Sequence, residues 1–361
     1  MREVRKEIRP NRAVFEPGER GGLRRSLVRA GWIATGAAAA LVFPAAAWAG
    51  DDQNALHPAS KQEHSISVLW WVMLAGCSIG FCVVATLLLL GWVRRNRDSL
   101  PFGGGDRAGT AIVVGLGVFV PIVVLSSLFV WSDLFLIRTT EAPAANSTRM
   151  SIQVIGHDWW WEVRYPGGRA VTANEIHIPV RTRVDVAGTT ADVIHSFWVP
   201  ELNRKADLIP GRVNHLLLDA DRPGEYRGQC AEFCGQQHAH MAMYVFADPP
   251  DVFRRWLANE ERPARQPATA QAREGQHLFL SLPCSGCHMI RGTSADGTIG
   301  PDLTHLATRK TLAALTLPNH PPDLARWIED PQRYKPGSKM PGFSLTSRER
   351  DALVAYLEGL K

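Results

Sequence analysis

Beyond its first 49 residues this 361-residue sequence carries no net charge: the opening stretch holds nine Lys/Arg against four Glu, leaving 31 basic and 31 acidic residues for the rest. The basic pI is therefore no argument for a nucleic-acid partner. Disulfide staples are lacking as well. The six cysteines fall into three close pairs, Cys77/Cys82, Cys230/Cys234 and Cys284/Cys287, none spaced as a framework, and a chain of this length can hold a core without one. There is no internal repeat, and no low-complexity tract beyond one Ala run near the start, which excludes repeat architectures. At 45% hydrophobic and 21% charged residues, the chain is neither disordered nor wholly embedded in a membrane. What it has in excess is tryptophan, twelve residues against five tyrosines. That points toward a membrane interface or electron transfer rather than a soluble cytosolic enzyme.

Residues 1–49 read as an export signal with a long basic lead-in. Arg24, Arg25 and Arg29 precede the apolar run Gly31–Phe43, and Ala47-Trp48-Ala49 offers a small-residue cleavage site. Residues 50–148 then form a tail and a transmembrane hairpin. Ser65–Val93 has no charge over 29 positions and Ala108–Ser132 none over 25, and about 20 helical residues suffice to cross a bilayer. Arg94, Arg95, Arg97 and Arg107 flank the short connection, so by the positive-inside bias it faces the cytoplasm and both long ends face outward. Residues 149–250 change to short runs rich in Val, Ile and aromatics. The stretches Ser151–Ile155, Trp159–Tyr165, Glu175–Pro179, Arg183–Ala187, Val213–Leu218 and Met243–Phe246 predict a β-sandwich or small barrel. Residues 251–269 read as a short amphipathic helix and a Pro/Ala linker. Residues 270–361 carry helical periodicity at Gln276–Leu282 and Ser347–Leu360, with Thr346 and Glu349 spaced as a capping box.

Two constellations carry chemistry. Cys230, Cys234, His238 and Met241 place two thiols, an imidazole and a thioether within 12 residues, a soft set that favours copper over hard cations. The second thiol allows two coppers bridged by two thiolates. A further imidazole has to come from elsewhere in the chain, and His195 in Ala191–Pro200 is the candidate. Zinc also takes Cys and His, but Met241 favours copper. Farther on, Cys284-Ser285-Gly286-Cys287-His288 is C-x-x-C-H, in which two thiols attach a c-type haem and the histidine ligates its iron. Met340, between Lys339 and Pro341, is the candidate second axial ligand, with His277, His305 and His320 as competitors. His/Met ligation suits an electron carrier.

These motifs resemble subunit II of the haem–copper cytochrome c oxidases over residues 65–248, and a small class I cytochrome c over 270–361. The resemblance implies a two-helix hairpin, an all-β cupredoxin domain of Greek-key sandwich type and an all-α cytochrome domain. It implies a binuclear copper centre, CuA, held by His195, Cys230, Cys234, His238, Met241 and the backbone carbonyl of Glu232. The Glu232 side chain would reach a Mg²⁺ or Mn²⁺ ion shared with subunit I. One haem c would be held by Cys284, Cys287, His288 and Met340. Trp159, first of the run Trp159-Trp160-Trp161, matches the family's electron-inlet tryptophan, although strand alternation alone would also pack Trp159 and Trp161 into one face. The implied setting is a bacterial plasma membrane, with oxidase subunits I and III, membrane lipid and a soluble c-type donor as partners. One family feature is missing: where many members carry a Glu on a proton-uptake path, seven residues before Pro121, this sequence has Val114.

The chain offers no second haem motif, so dioxygen reduction would fall to subunit I and this chain would be the electron inlet of a proton-pumping oxidase. A nitric oxide reductase subunit with a CuA domain, or a membrane electron carrier without an oxidase partner, would present nearly the same sequence. Residues 149–250 hold ten basic and twelve acidic groups and residues 266–361 eleven and nine, so the two modules carry opposite net charge. A flexible linker of about 11 residues would tether them within roughly 15–20 Å.

Overall fold

The computed structural model describes residues 53–94, 106–144 and 147–361. The export signal expected over residues 1–49 and the Arg95–Arg97 connection lie outside them. The first helix, α1 (Lys61–Arg94), opens on Ser60, whose hydroxyl accepts from Glu63 N at 3.1 Å. The second helical run comprises α2 (Asp106–Val114), α3 (Val120–Trp131) and α4 (Arg138–Thr140), joined by π-turns at Gly115–Phe119 and Ser132–Ile137. Pro121 explains the first π-turn: it has no N–H to donate and would clash with the carbonyl four residues back, so the ladder must widen there. The run extends eight residues past the expected end at Ser132. The most apolar 18-residue windows of Lys61–Val93 and Gly109–Thr140 have mean hydropathies of 2.4 and 2.6 and none of either window is buried. Side chains such as Phe81 and Leu125 point outward, as a lipid-facing pair requires.

Two five-stranded sheets follow. One has the order β3-β2-β1-β5-β8 and the other β4-β10-β9-β6-β7. Their strands are β1 (Met150–His157), β2 (Trp160–Arg164), β3 (Val171–Ala173), β4 (Glu175–Pro179), β5 (Val184–Thr190), β6 (His195–Trp198), β7 (Ala206–Leu208), β8 (Asn214–Leu218), β9 (Gly224–Cys230) and β10 (Ala242–Asp248). Alternate residues of β1 and β5 point inward, which is the period-2 pattern of a half-buried strand. Their Val154 and Val186 meet Trp161, Ile176, Phe197 and Met243 in one dry core between the sheets. The hairpin is tied to this sandwich by Ala59 N donating to Glu201 O at 2.9 Å and by Arg204 Nε donating to Thr140 O at 3.0 Å.

Helix α5 (Pro250–Glu260) leaves the sandwich, and the segment after it is not the free coil expected. Ala264 N donates to Arg291 O at 2.9 Å, and Arg262 O accepts from His305 Nε2 at 3.0 Å. The helical lobe consists of α6 (Ala270–Ser281), α7 (Cys284–Cys287), α8 (Pro321–Glu329), α9 (Pro331–Tyr334) and α10 (Ser347–Leu357), with a two-residue ribbon, β11 (Thr311–Leu312) and β12 (Leu317–Pro318). Helix α6 begins six residues before the periodic stretch, because Thr269 caps it by accepting from Ala272 N. The Thr346/Glu349 capping box is present at the start of α10. Helices α6 and α10 cross with Phe279 and Tyr356 at a centroid distance of 6.0 Å, closing a second core.

Candidate copper and haem sites

The copper-type ligands gather at one end of the sandwich because strand pairing pins both ends of one loop. Cys230 ends β9 and Met241 precedes β10, and Cys230 N donates to Met241 O at 2.9 Å across the neck of the loop. On the other side β9 pairs with β6, Phe197 opposite Cys230, and this brings His195, 35 residues earlier, to the same end. Gly156 makes room for it. A Cβ at that position would sit 2.6 Å from the His195 ring, so any side chain there would displace the imidazole.

The two thiols stand 3.7 Å apart and unbridged. Cys230 Sγ lies 3.8 Å from His195 Nδ1 and 3.2 Å from Glu232 O; Cys234 Sγ lies 3.6 Å from His238 Nδ1 and 3.8 Å from Met241 Sδ. Each sulfur therefore has its own imidazole and its own weak donor. Cys230, His195 and Met241 are fully buried and Cys234 nearly so. The hydrogen bond from the neighbouring thiol, together with His195, pulls the Cys230 thiol far below its ordinary range, while the same bond and burial push Cys234 up. Thiols bind a metal as thiolates, so loading a metal here releases protons. Burial opposes a charge on His195, yet hydrogen bonds to Asp192 and Cys230 raise its pKa to about 9. Asp192 Oδ1 meets His195 Nε2 at 2.9 Å, so Nδ1 is the nitrogen turned to the sulfurs. Among the described residues, Glu232 belongs to neither cluster of closely converging metal-ligand atoms.

Trp159 sits against this loop. Its indole Nε1 donates to Cys234 O at 2.9 Å. Trp161 is fully buried in the core and Trp159, just ahead of β2, packs against the edge of the same core, while Trp160 stacks on His157 at 4.3 Å.

A cavity of about 220 Å³ in the helical lobe is lined by Cys284, Cys287, His288 and Met340, and its wall is completed from the sandwich by Trp159 and Trp160. His288 Nδ1 donates to Pro301 O at 2.8 Å, which leaves Nε2 free to face the cavity. Gly300 packs flat on the imidazole, where a Cβ would come within 2.5 Å of the ring. Burial holds His288 below its usual pKa, in the neutral form that ligates metal. Arg309 also lines the cavity, with its Nε buried and unpartnered, a fit for the carboxylates of a haem. His277, His305 and His320 do not line it; His305 is spent on Arg262 O. The residues present fit both groups.

Three residues of these sites carried no sequence signal of their own. Lys335 acquires its role through acceptors far along the chain, Arg309 through its place on the cavity wall, and Asp192 through a bond to His195 three residues on. Lys335 is 3% exposed, and burial pushes its amine down to about 7, with Cys234 drawing it back up.

A buried set of thiolate, thioether and imidazole donors sharing a wall with a C-x-x-C-H cavity is the donor chemistry of a copper- and haem-binding protein of the electron-carrier class, here joined to an apolar hairpin. Residues 168–247 match the family model of the cytochrome c oxidase subunit II periplasmic domain, and residues 272–361 match that of cytochrome c. The chain is 33% identical over 253 residues to cytochrome c oxidase subunit 2 of Alkalihalophilus pseudofirmus, covering 70% of this chain and 72% of that one. It is 30% identical over 260 residues to the same subunit of a Bacillus species, covering 67% and 72%. A crystal structure of the periplasmic domain of subunit II of cytochrome oxidase from Bradyrhizobium japonicum aligns with 33% of this chain and 97% of its own at 29% identity, with a TM-score of 0.31. The chain belongs to the cytochrome c oxidase subunit II family, whose members work within the haem–copper oxidase complex. The subunit II domain implies a CuA centre, the cytochrome c domain implies a haem c, and membership implies partnership with other oxidase subunits.

Proposed function

We propose that this subunit takes electrons from a soluble c-type donor into its helical lobe, passes them to its β-sandwich lobe, and delivers them to subunit I of a proton-pumping oxidase for reduction of dioxygen to water. When bound, haem c and the copper pair each supply a one-electron store. Cys284 and Cys287 would hold the haem covalently, with His288 and Met340 as its axial ligands. His195, Cys230, Cys234, His238, Met241 and the Glu232 carbonyl would hold the copper pair. Trp159 stands between the two pockets and serves as the inlet to the copper loop. The Glu232 side chain, half-buried at the tip of that loop, would complete a Mg²⁺ or Mn²⁺ site with subunit I. In this reading residues 1–49 are a cleaved signal, residues 50–148 anchor the chain, and residues 149–250 and 270–361 face the periplasm around the 251–269 connection. Subunit III and lipid pack against the hairpin, and proton uptake uses a group other than one at position 114.

The observation that carries this reading is the shared wall: Trp159 lines the haem-type cavity and also donates to Cys234 O in the copper loop. The test is metal analysis and spectroscopy of the purified oxidase, with dioxygen and nitric oxide as alternative acceptors. Two coppers with mixed-valence absorption, one haem c, and turnover with dioxygen are expected. Cys230→Ser and Cys234→Ser should each abolish the copper spectrum and leave the haem c band. A single copper with one blue band would overturn the binuclear assignment, and turnover with nitric oxide alone would overturn the acceptor.

A further inference from the structure

The junction between the two lobes contains a cation that neither cofactor site requires. Lys335 follows α9 in the loop leading to Met340, and it is almost completely buried. Its Nζ donates to Trp159 O at 2.7 Å, to His240 O at 2.9 Å and to Ala313 O at 3.3 Å. An ammonium has three N–H groups, and here three carbonyls receive them. Two of these carbonyls belong to the sandwich and one to the helical lobe. Burying an ammonium without a carboxylate partner is costly, and the fold could have avoided it with an apolar side chain at this position.

The position of the side chain gives that cost a purpose. Lys335 lines the same cavity as His288 and Met340, and the residue whose carbonyl it grips, Trp159, is bonded through its indole to Cys234 O. One short chain of bonds therefore leads from the cavity wall through Lys335 and Trp159 to the copper loop. A second tie runs beside it, Gln237 Nε2 donating to Pro336 O at 2.8 Å. Docking of the lobes does not depend on Lys335 alone. Glu175 Oε1 on β4 accepts from Lys310 N at 2.8 Å and Thr311 N at 3.1 Å, and Lys310 also pairs with Glu225.

We infer that Lys335 is a positioning residue for electron transfer between the lobes: it fixes the Trp159 backbone between the two pockets and places a single positive charge there. One electron crosses this junction per transfer. The helical lobe is oxidised by one and the sandwich lobe reduced by one, with no bond made or broken. In its protonated form, which prevails below about pH 7, this amine beside both pockets favours the reduced form of each. The inference rests on the proposal that both lobes carry their cofactors, and cofactor content tests that proposal separately.

The experiment uses the complete oxidase with Lys335→Met, which keeps the length of the side chain and removes its charge and donors. With full copper and haem content, the rate of electron transfer from haem to copper, followed by stopped flow after mixing with reduced donor, should fall about tenfold, the scale of one lost charge-assisted contact. Both midpoint potentials, read at about pH 6 where the wild-type amine is protonated, should move downward, and the absorption spectra should be unchanged. Lys335→Arg should restore the potentials. Gln237→Ala, which cuts the neighbouring tie without touching charge, should slow transfer less and leave the potentials in place; these two variants decide the matter if Lys335→Met does not assemble. Wild-type rate and potentials in fully loaded Lys335→Met, or a fall in both potentials in Gln237→Ala equal to that in Lys335→Met, would overturn the assignment. A wild-type chain lacking either cofactor would instead overturn the functional proposal itself.

Discussion

At the scale of the residue, the copper loop depends on a carboxylate outside the ligand set. Asp192 Oδ1 takes the Nε2 side of His195, and its other oxygen accepts from Asp158 N at 2.7 Å, so the imidazole is clamped with Nδ1 toward the thiols. Such outer partners typically tune metal affinity by about 10–100-fold. Asp192→Asn should therefore weaken copper binding by roughly that factor, measured by competition with a chelator, and leave the haem band in place. Glu260 offers a test of pH dependence. Buried at 2% exposure, its carboxyl is pushed up to about 7, with Arg309 and Arg291 drawing it back. The folded chain then binds more protons than the unfolded chain between the ordinary carboxylate range and that value, so this group's contribution to stability declines as pH rises through the window. Glu260→Gln should match wild type near pH 5 and exceed it by about 1–3 kcal/mol at pH 8, read from thermal melts at both pH values.

At the scale of the element, the capping box on α10 fixes the helix that closes the haem-type lobe. Thr346 accepts from Glu349 N at 3.3 Å, and Thr346 N donates to Glu349 Oε2 at 2.8 Å. Thr346→Ala should cost about 1 kcal/mol, lowering the melting temperature of that lobe while the copper absorption stays unchanged. This cap was legible in the sequence because both partners lie within one turn. The C-x-x-C-H run was legible for the same reason. The strands β3, β6, β7 and β9 were not. Strand β9 does alternate in burial, but its inward positions are Tyr226, Gly228 and Cys230, and a glycine and a thiol give no hydrophobic signal. Strand β6, paired between β9 and β7, buries three successive residues, so no period appears. The thiols, imidazole and thioether of the loop were legible as candidates from their chemistry and close spacing, whereas His195 is brought near them only by the register that sets Phe197 opposite Cys230. Lys335 could not be found this way, because its acceptors at Trp159 and His240 are 176 and 95 residues away.

At the scale of the whole molecule, the lobes carry complementary contacts. The opposite net charges expected from composition become pairs across the junction, Lys310 with Glu225 and Lys339 with Asp192, the latter at 3.8 Å. Exposed pairs of this kind contribute little each and weaken with salt, whereas the buried bonds of Lys335 and Glu175 do not. Transfer between lobes should accordingly be independent of protein concentration and nearly insensitive to ionic strength, and the encounter with a soluble donor should carry whatever salt dependence turnover shows. Stopped-flow traces over a tenfold range of enzyme concentration, at low and high salt, separate the two steps. A second-order dependence of copper reduction on enzyme concentration would contradict the arrangement.

The strapped segment after α5 sets the division of labour further. A lobe hung on a free coil could swing away to meet its donor and return; one held through Arg262, Ala264 and Lys335 is a socket rather than a courier. On the proposed function, a donor would come to it from the aqueous side, across the rim of the cavity that the sandwich leaves uncovered, where Ile299 stands 60% exposed. Residence time at that rim, and not the travel of a tethered arm, would then be the step on which selection of that proposed donor acts.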